Sequence, residues 1–458
     1  MIFRGFEMPV RNLPELDPDF VPFAAVKRFV DMKGKVGLTI SLETEAGKCW
    51  VHSFKILGGE ENLAFDRLCV ERLVKFLLWM KGANKIGIYG SSPIAAHIIN
   101  AYSSGGEREF DTKFMAKVFE GEFSVTDNTE DRIPEARDAG IPVGGNLDGC
   151  RIGFDAGGSD LKVCAVQNGS VLFSEEIVWH PKLQEDPKYH YEWILSAMKK
   201  AAGYLPRVDA IGVSSAGIYV NNRCMVASLF IRVPEEKFNR EVKDIYIRAA
   251  EEIGAPLVVL NDGDVAALAG AIGMETGSVL GIAMGTSEAA GFVDGGGNIK
   301  GWLNELAFAP VDLNKNAMAD EWSGDVGCGV KYFSQDGVIK LAKAAGLELD
   351  EFDSPAQKLS AVQDSMEKGD SKAAAVFRSL GVCFGHAAAL YHNFYGMKNI
   401  LLMGRAVSGK GGDIILGEAK KVLREDYPEL SVNITLPDEK TRRVGQAVTA
   451  ASLPKLSE

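Results

Sequence analysis

Apolar positions along this chain follow two rhythms. In FDRLCVERLVKFLLWMKG, Leu68, Val70, Leu73, Val74, Leu77 and Leu78 recur at three and four, which predicts a helix with Gly82 as its stop. In GKVGLTISLETEAGKCWVHSFKIL, short apolar runs flank the turn Glu45-Ala46-Gly47, which predicts two paired strands. KIGIYG is a short strand that leads into the loop and helix of SSPIAAHIIN. The order then repeats. The stretch from Ile152 to Ile177 reads as a hairpin, YHYEWILSAMKKAAGYL as a helix and DAIGVSSAG as a strand. Further on, PLVVL, VLGIAM and NILLM are buried strands, and GFVDGGGNIKG is a hairpin around three glycines. The region from Glu321 to about Tyr395 reads as largely helical. GDIILGEAKKVLRE is a further helix, and DEKTRRVGQAVTAASL closes the chain as a small-residue helix.

This alternation predicts an α/β protein, and 458 residues allow two to three domains of roughly 100–200 residues each. TDNTEDRIPEARDAGIPVGGNLDG is polar and rich in Gly and Pro, so it reads as a linker behind an N-terminal α/β domain, 1–148. The net charge of −12 repels phosphate backbones and argues against nucleic acid as a partner. The seven cysteines are scattered and odd in number, as expected for reduced thiols in a cytoplasmic protein. The N-terminus has no apolar h-region, and no run of about eighteen apolar residues predicts a membrane span.

Four stretches carry candidate chemistry. In RIGFDAGGSDLK, Asp155 ends an apolar run and can hold a hydrated metal ion. Gly157 and Gly158 let backbone amides approach phosphate oxygens, and the Ser159 hydroxyl can donate to them. A plain hairpin turn would use the same residues. MGTSEAAG likewise follows a strand and presents Gly285, Thr286 and Ser287. In LNDGD, Asp262 falls where a strand meets a helix, the usual place for function in open α/β sheets, although Asn and Asp there also cap helices. GRAVSGKG nearly matches a Walker loop, but Gly411 replaces the hydroxyl that would bind magnesium, so a Walker site is rejected. His386 and His392, six apart on a predicted helix, do not share a face as a metal pair would.

In this order, the motifs resemble those of ROK-family sugar kinases, within the actin and hexokinase superfamily, over about residues 150–453. FDAGGSDLK is similar to that family's D-x-G-G-T-x-x-K, LNDGDVAALAG to its N-D-A-N-A-A-A-x-x-E, and MGTSEAAGFVDGG to its G-T-G-x-G-x-G. NELAFAPVD is similar to G-E-x-G-H-x-x-V-D, and LLMGRAVS to the adenosine loop. The resemblance implies two ribonuclease-H-like lobes around a cleft, 149–264 with 437–458 returning, and 265–436. It implies ATP-dependent phosphorylation of a sugar hydroxyl, with Asp262 as base. Asn261 and Glu305 would bind the sugar, and Asp155 would serve magnesium through water. Gly157, Gly158, Ser159, Lys162, Gly285, Thr286, Ser287 and Gly404 would contact ATP. The implied partners are a small-molecule sugar and ATP, with neither nucleic acid nor membrane, and a homo-oligomer is compatible. The family's structural zinc is not expected, because its ligand positions read Phe308, Glu321, Ser323 and Cys328. Glu288 stands where the family has a small or apolar residue, and a carboxylate there repels phosphates unless it faces away or holds a metal. Asp264 replaces the second Asn of N-D-A-N. A silent sugar- or nucleotide-binding regulator of the same fold is the rival expectation.

Overall fold

The computed structural model describes residues 1–138, 143–437 and 445–456. The chain forms two compact units. The first comprises Met1–Ala139, Ile282–Ala290 and Trp302–Leu436, and the second Gly140–Gly281, Gly291–Gly301 and Pro437–Glu458.

The second unit is built on a five-stranded sheet in the order Leu257–Asn261, Ala210–Ser215, Cys150–Ala156, Asp160–Gln167, Ser170–Val178. The first three strands are parallel and the last two antiparallel. The expected single hairpin is thus a three-stranded meander. Its second turn is made by Asn168 and Gly169, both at positive φ, as a two-residue hairpin turn requires. Cys150–Ala156 is buried along its whole length, which explains its unbroken apolar run. Phe154, Val163, Ile194, Met198, Phe230 and Tyr246 belong to the core of this unit, which the helices Pro187–Ala202 and Ile245–Ile253 help to form. The short helix Gln446–Ala451 packs instead beside Cys164 and Val166. The N-terminal part of the expected closing helix, residues 438–444, lies outside the described residues, as does 139–142 of the expected linker.

The first unit contains the four-stranded sheet Cys49–Ile56, Val36–Glu43, Lys85–Tyr89, Ser124–Asp127. A second four-stranded sheet runs Glu288–Val293, Val279–Met284, Asn399–Met403, Asn433–Thr435. The helix Leu63–Lys81 stops at Gly82 (φ 77°), as its sequence predicts. Charged residues between its apolar positions are buried too: Glu71, Arg72 and Lys75 are each at most 4% exposed. Three helices, Gln335–Ala344, Pro355–Glu367 and Ser371–Tyr395, fill the region expected to be helical. They begin only at Gln335, where the Ser334 side chain accepts from the Asp336 N–H, so helix does not extend back to Glu321. Ser371–Tyr395 is, among the described residues, the one helix long and apolar enough to cross a membrane, and 89% of its apolar window is buried in the structure. That is how a core helix is placed.

Two domain boundaries differ from expectation. Residues 1–139 do not stand apart but share a unit with 302–436. Polar contacts far apart in sequence tie them in. Asp426 accepts from the Arg11 and Asn12 backbone N–H groups, Val21 N–H donates to Asp312, and His386 bonds the Asn12 carbonyl at 2.8 Å. The other boundary falls after Gly281, not at 264, because the helix Asp262–Gly273 packs within the second unit. Gly291 permits this. A Cβ there would lie 2.3 Å from the Gly263 carbonyl oxygen.

Candidate active site

In the second unit three parallel strands end in register. Asp155 lies opposite Ser214, and Ser215 opposite Asn261, so Asp155 and Asp262 emerge at the C-terminal ends of the two strands that flank Ala210–Ser215. This is the crevice position where α/β sheets bind ligands. Ser214 Oγ donates to Asp155 Oδ1 at 2.6 Å. Burial pushes the Asp155 carboxyl up to about 6 against that hydrogen bond, and the charge of Asp262 adds to the rise. Burial also raises Asp262, while the Gly263 N–H lowers it. Asp262 is half-buried.

The helix after Asp262 is capped by Asn261, whose Oδ1 accepts from Gly263 N–H at 2.7 Å and whose Nδ2 donates to the Gly217 carbonyl at 2.7 Å. The residue implied to bind sugar therefore holds the strand-to-helix corner. One N–H of its amide is left for a ligand.

The turn 157–159 is tight. Gly157 N–H donates to the Asp160 carbonyl at 2.9 Å, and a Cβ on Gly157 would come within 2.9 Å of that oxygen. Gly158 and Ser159 are exposed at its tip. Two groups implied for ATP turn to Asp160 instead. Ser159 Oγ donates to its Oδ2 at 3.0 Å, and Lys162 Nζ lies 3.3 Å from its Oδ1. Sequence reasoning passed over Lys182, whose ammonium lies 3.3 Å from where a Cβ on Gly158 would be. Lys182 makes no ion pair among the described residues, and nothing in its local sequence marks it.

In the first unit, Gly285–Ser287 closes a turn between Val279–Met284 and Glu288–Val293, with Gly285 N–H donating to the Ser287 carbonyl at 3.0 Å. Thr286 and Ser287 expose their hydroxyls. Gly404 reaches the same place. Its φ is +96°, and a Cβ would lie 2.4 Å from the Met284 carbonyl oxygen, so only glycine fits beside this strand end. The next residue, Arg405, lines a cavity of about 610 Å³ together with Leu349, Phe352, Gln357, Ala361 and Lys368.

Glu288 faces away from the exposed turn. It is 3% exposed, Tyr391 OH donates to its Oε1 at 3.3 Å, and its Oε2 has no hydrogen-bond partner among the described residues. Burial, with Glu305 adding negative charge, pushes it from 4.5 up to about 8, so at neutral pH it is a neutral acid. The expected repulsion of phosphates is thereby removed. The folded state holds this proton more tightly than the unfolded chain does. The stability it contributes is complete below about pH 4.5 and is lost as pH rises through about 8. Glu288→Gln keeps the acceptor for Tyr391 and should flatten that loss. The variant should gain on wild type between pH 5 and 9, by on the order of 4 kcal/mol at the alkaline end. Urea midpoints of the two proteins across this range check it, and parallel curves would refute the buried acid.

The positions implied for zinc are otherwise engaged. Phe308 packs on Trp79 with ring centroids 4.4 Å apart, Glu321 pairs with Lys331, and Ser323 donates to Asp320 at 2.7 Å. Cys328 is buried with its thiol 3.7 Å from Asp325, and burial drives its pKa far above the ordinary thiol range. Glu305 is half-buried, and its N–H donates to the Trp79 carbonyl at 3.0 Å.

Carboxylates at the C-terminal ends of parallel strands, beside a tight glycine turn, define an α/β protein with a candidate ligand site at one end of its sheet. The ROK family profile matches residues 151–439, and the chain belongs to the ROK family. Its fold is similar to that of a ROK hexokinase from Thermus thermophilus, with 19% identity and a TM-score of 0.52, covering 66% of this chain and 97% of that one. A ROK family glucokinase from Streptomyces griseus, solved with glucose and AMPPNP, aligns at 20% identity and TM-score 0.49, covering 66% and 98%. A ROK family transcriptional regulator, a homologue of the E. coli Mlc protein, aligns at 18% and 0.49, covering 67% and 79%. No curated protein matches the sequence.

Proposed function

We propose that this protein is an ATP-dependent kinase of a sugar hydroxyl. The observation that carries the reading is the pair Asp155 and Asp262 at the same end of the sheet, on the two strands that flank Ala210–Ser215, with Asn261 capping the helix that follows. Asp262 Oδ1 shares the Gly263 N–H with Asn261, at 3.0 Å, and its Oδ2 is the oxygen left to act as a base. The raised pKa of Asp262 makes the ionised form a better proton acceptor.

In this reading the Asp262 carboxylate takes the sugar hydroxyl proton as the oxygen attacks the γ-phosphorus, and ADP leaves. In the second unit the remaining amide N–H of Asn261 serves a sugar hydroxyl, and the backbone of Gly157–Gly158, with Lys182, serves phosphate. In the first unit Glu305 serves sugar, and the hydroxyls of Thr286 and Ser287 serve phosphate. Gly404 lies against the adenosine, and the cavity beside Arg405, apolar at Leu349 and Phe352, suits a purine. Asp155 fits a hydrated magnesium ion. One of its oxygens is taken by Ser214, the other can accept from a metal-bound water, and magnesium keeps most of its waters. That ion would neutralise charge on the transferring phosphoryl group.

A second reading has its own observation. Asp160 takes up both Ser159 and Lys162, which leaves the turn with fewer donors for phosphate. It favours a regulator that binds sugar or nucleotide without turnover.

One screen separates the two. Hexoses, amino sugars and pentoses are offered with ATP and magnesium, and ADP formation is read alongside calorimetric binding. At least one sugar should give ADP in proportion to sugar phosphate. Sugar or ATP binding with no ADP from any sugar would replace the kinase by the silent binder.

A further inference from the structure

We propose that residues 1–139 are the scaffold that positions the Glu305 loop, with Arg72, Lys75, Arg108 and Asp325 as positioning residues for the sugar side of the site. The inference rests on the reading of Glu305 as a sugar ligand.

Two attachments carry it, and both lie within the first unit. The first is made of backbone. The last carbonyls of a helix have no partner inside it. At the end of Leu63–Lys81 they are taken by the loop. Leu303, Asn304 and Glu305 donate their N–H groups to the carbonyls of Lys81, Met80 and Trp79 at 3.2, 2.9 and 3.0 Å. Asn304 is held at φ +53°, and its Oδ1 accepts from Tyr395 OH at 2.9 Å. Three residues later Phe308 enters an aromatic cluster with Trp79, Phe110 and Phe114, at centroid distances of 4.4, 5.7 and 6.2 Å. Glu305 is thus fastened on both sides to parts of the chain that precede residue 120.

The second attachment is ionic. Asp325 receives Arg72 at 2.9 Å, Lys75 at 3.3 Å and Arg108 at 2.8 Å. Glu71 pairs with Arg72 and Arg108, and Asp111 with Lys75 and the Trp79 indole N–H. Three cations and three anions balance, and all six are at most 8% exposed. Asp325 in turn precedes a stretch bonded to the backbone just after Phe308. Val311 N–H donates to the Gly327 carbonyl, and Gly329 N–H to the Ala309 carbonyl, each at 2.9 Å. A buried charge that loses its partner is heavily penalised, so a closed network of this kind has one arrangement and not a range of them. It sets where 325–329 lies, and through 309–311 where Glu305 lies. A network that only held the fold together would need no connection to this loop.

The test uses the full-length chain with Asp325→Asn, which breaks the network, and the milder Phe114→Leu, which loosens the aromatic cluster at a half-buried position. Hydrogen exchange is followed at 302–309 and, as internal reference, at 150–215. We expect exchange at Leu303–Glu305 to rise by about tenfold while the reference stays unchanged. With the sugar found by the screen, KM for sugar should rise about five- to tenfold, with KM for ATP and kcat within about twofold of wild type. If Asp325→Asn does not fold, Phe114→Leu carries the same comparison. Unchanged exchange at 303–305, or equal loosening at 150–215, would overturn the scaffold. Faster exchange at 303–305 with an unmoved sugar KM would uphold the scaffold and overturn Glu305 as a ligand.

Discussion

Asp262→Asn should turn over the sugar roughly two or more orders of magnitude more slowly than wild type, the usual scale for a positioned general base. Its fold and ATP affinity should be kept. The substitution is nearly isosteric. The helix that starts at Asp262 is capped by Asn261 Oδ1 on the Gly263 N–H, and the variant leaves that bond intact. Loss of activity therefore cannot be laid to loss of the cap. Asp155→Asn serves as the contrast. It keeps the acceptor for Ser214 but removes a buried charge that would attract a hydrated cation, so it should chiefly weaken the magnesium dependence. Rates for the three proteins across a magnesium titration decide the matter. Turnover near wild type in Asp262→Asn would remove it from the chemistry.

Gly212→Ala should give the largest loss of stability of any single methyl addition in the second unit. Gly212 lies within the parallel strand Ala210–Ser215, and a Cβ there would stand 1.7 Å from the Ala450 carbonyl oxygen. Gly153, in the neighbouring strand, stands 1.8 Å from the Ala447 carbonyl oxygen in the same way. Both oxygens belong to the backbone of the helix Gln446–Ala451, which rests directly on two strands without side chains between. Backbone cannot turn aside as a flexible side chain can, so the helix must lift and lose its packing on Cys164 and Val166. A loss of about 3 kcal/mol or more is expected. Gly37→Ala is the control, since nothing lies within 4 Å of its added Cβ. Denaturant midpoints should fall markedly for Gly212→Ala and hardly at all for Gly37→Ala. Equal midpoints would show that the helix does not sit on the sheet.

The parts of the site that were legible in the sequence were those set by local chemistry. Asp155 at the end of an apolar run, the glycine turn after it and Asp262 at a strand-to-helix junction are all where their patterns placed them. Backbone demands explain this. A buried strand needs a continuous apolar run, and a tight turn needs residues without a Cβ clash, so both leave a mark on neighbouring residues. The direction of a polar side chain leaves no such mark. Ser159 and Lys162 sit in a phosphate motif yet turn to Asp160, and Asn261 sits in a sugar motif yet caps a helix. Lys182 comes beside Gly158 from more than twenty residues away in sequence.

The α/β class, the strand–helix order, the family motifs and the polar turns that end buried strands follow from residues close together in the chain, because each depends on periodicity or backbone conformation over a few residues. Which charges are buried follows from packing between distant segments. Glu288 is a neutral acid because it packs beside Tyr391 and Gly329, and Arg72 and Lys75 are buried against Asp325, about 250 positions further along the chain. Such packing also makes residues 1–139 part of a larger unit and not a domain apart. The physical reason is the same in each case. Desolvation and ion pairing depend on what fills the space around a group, and that space is filled by segments distant along the chain.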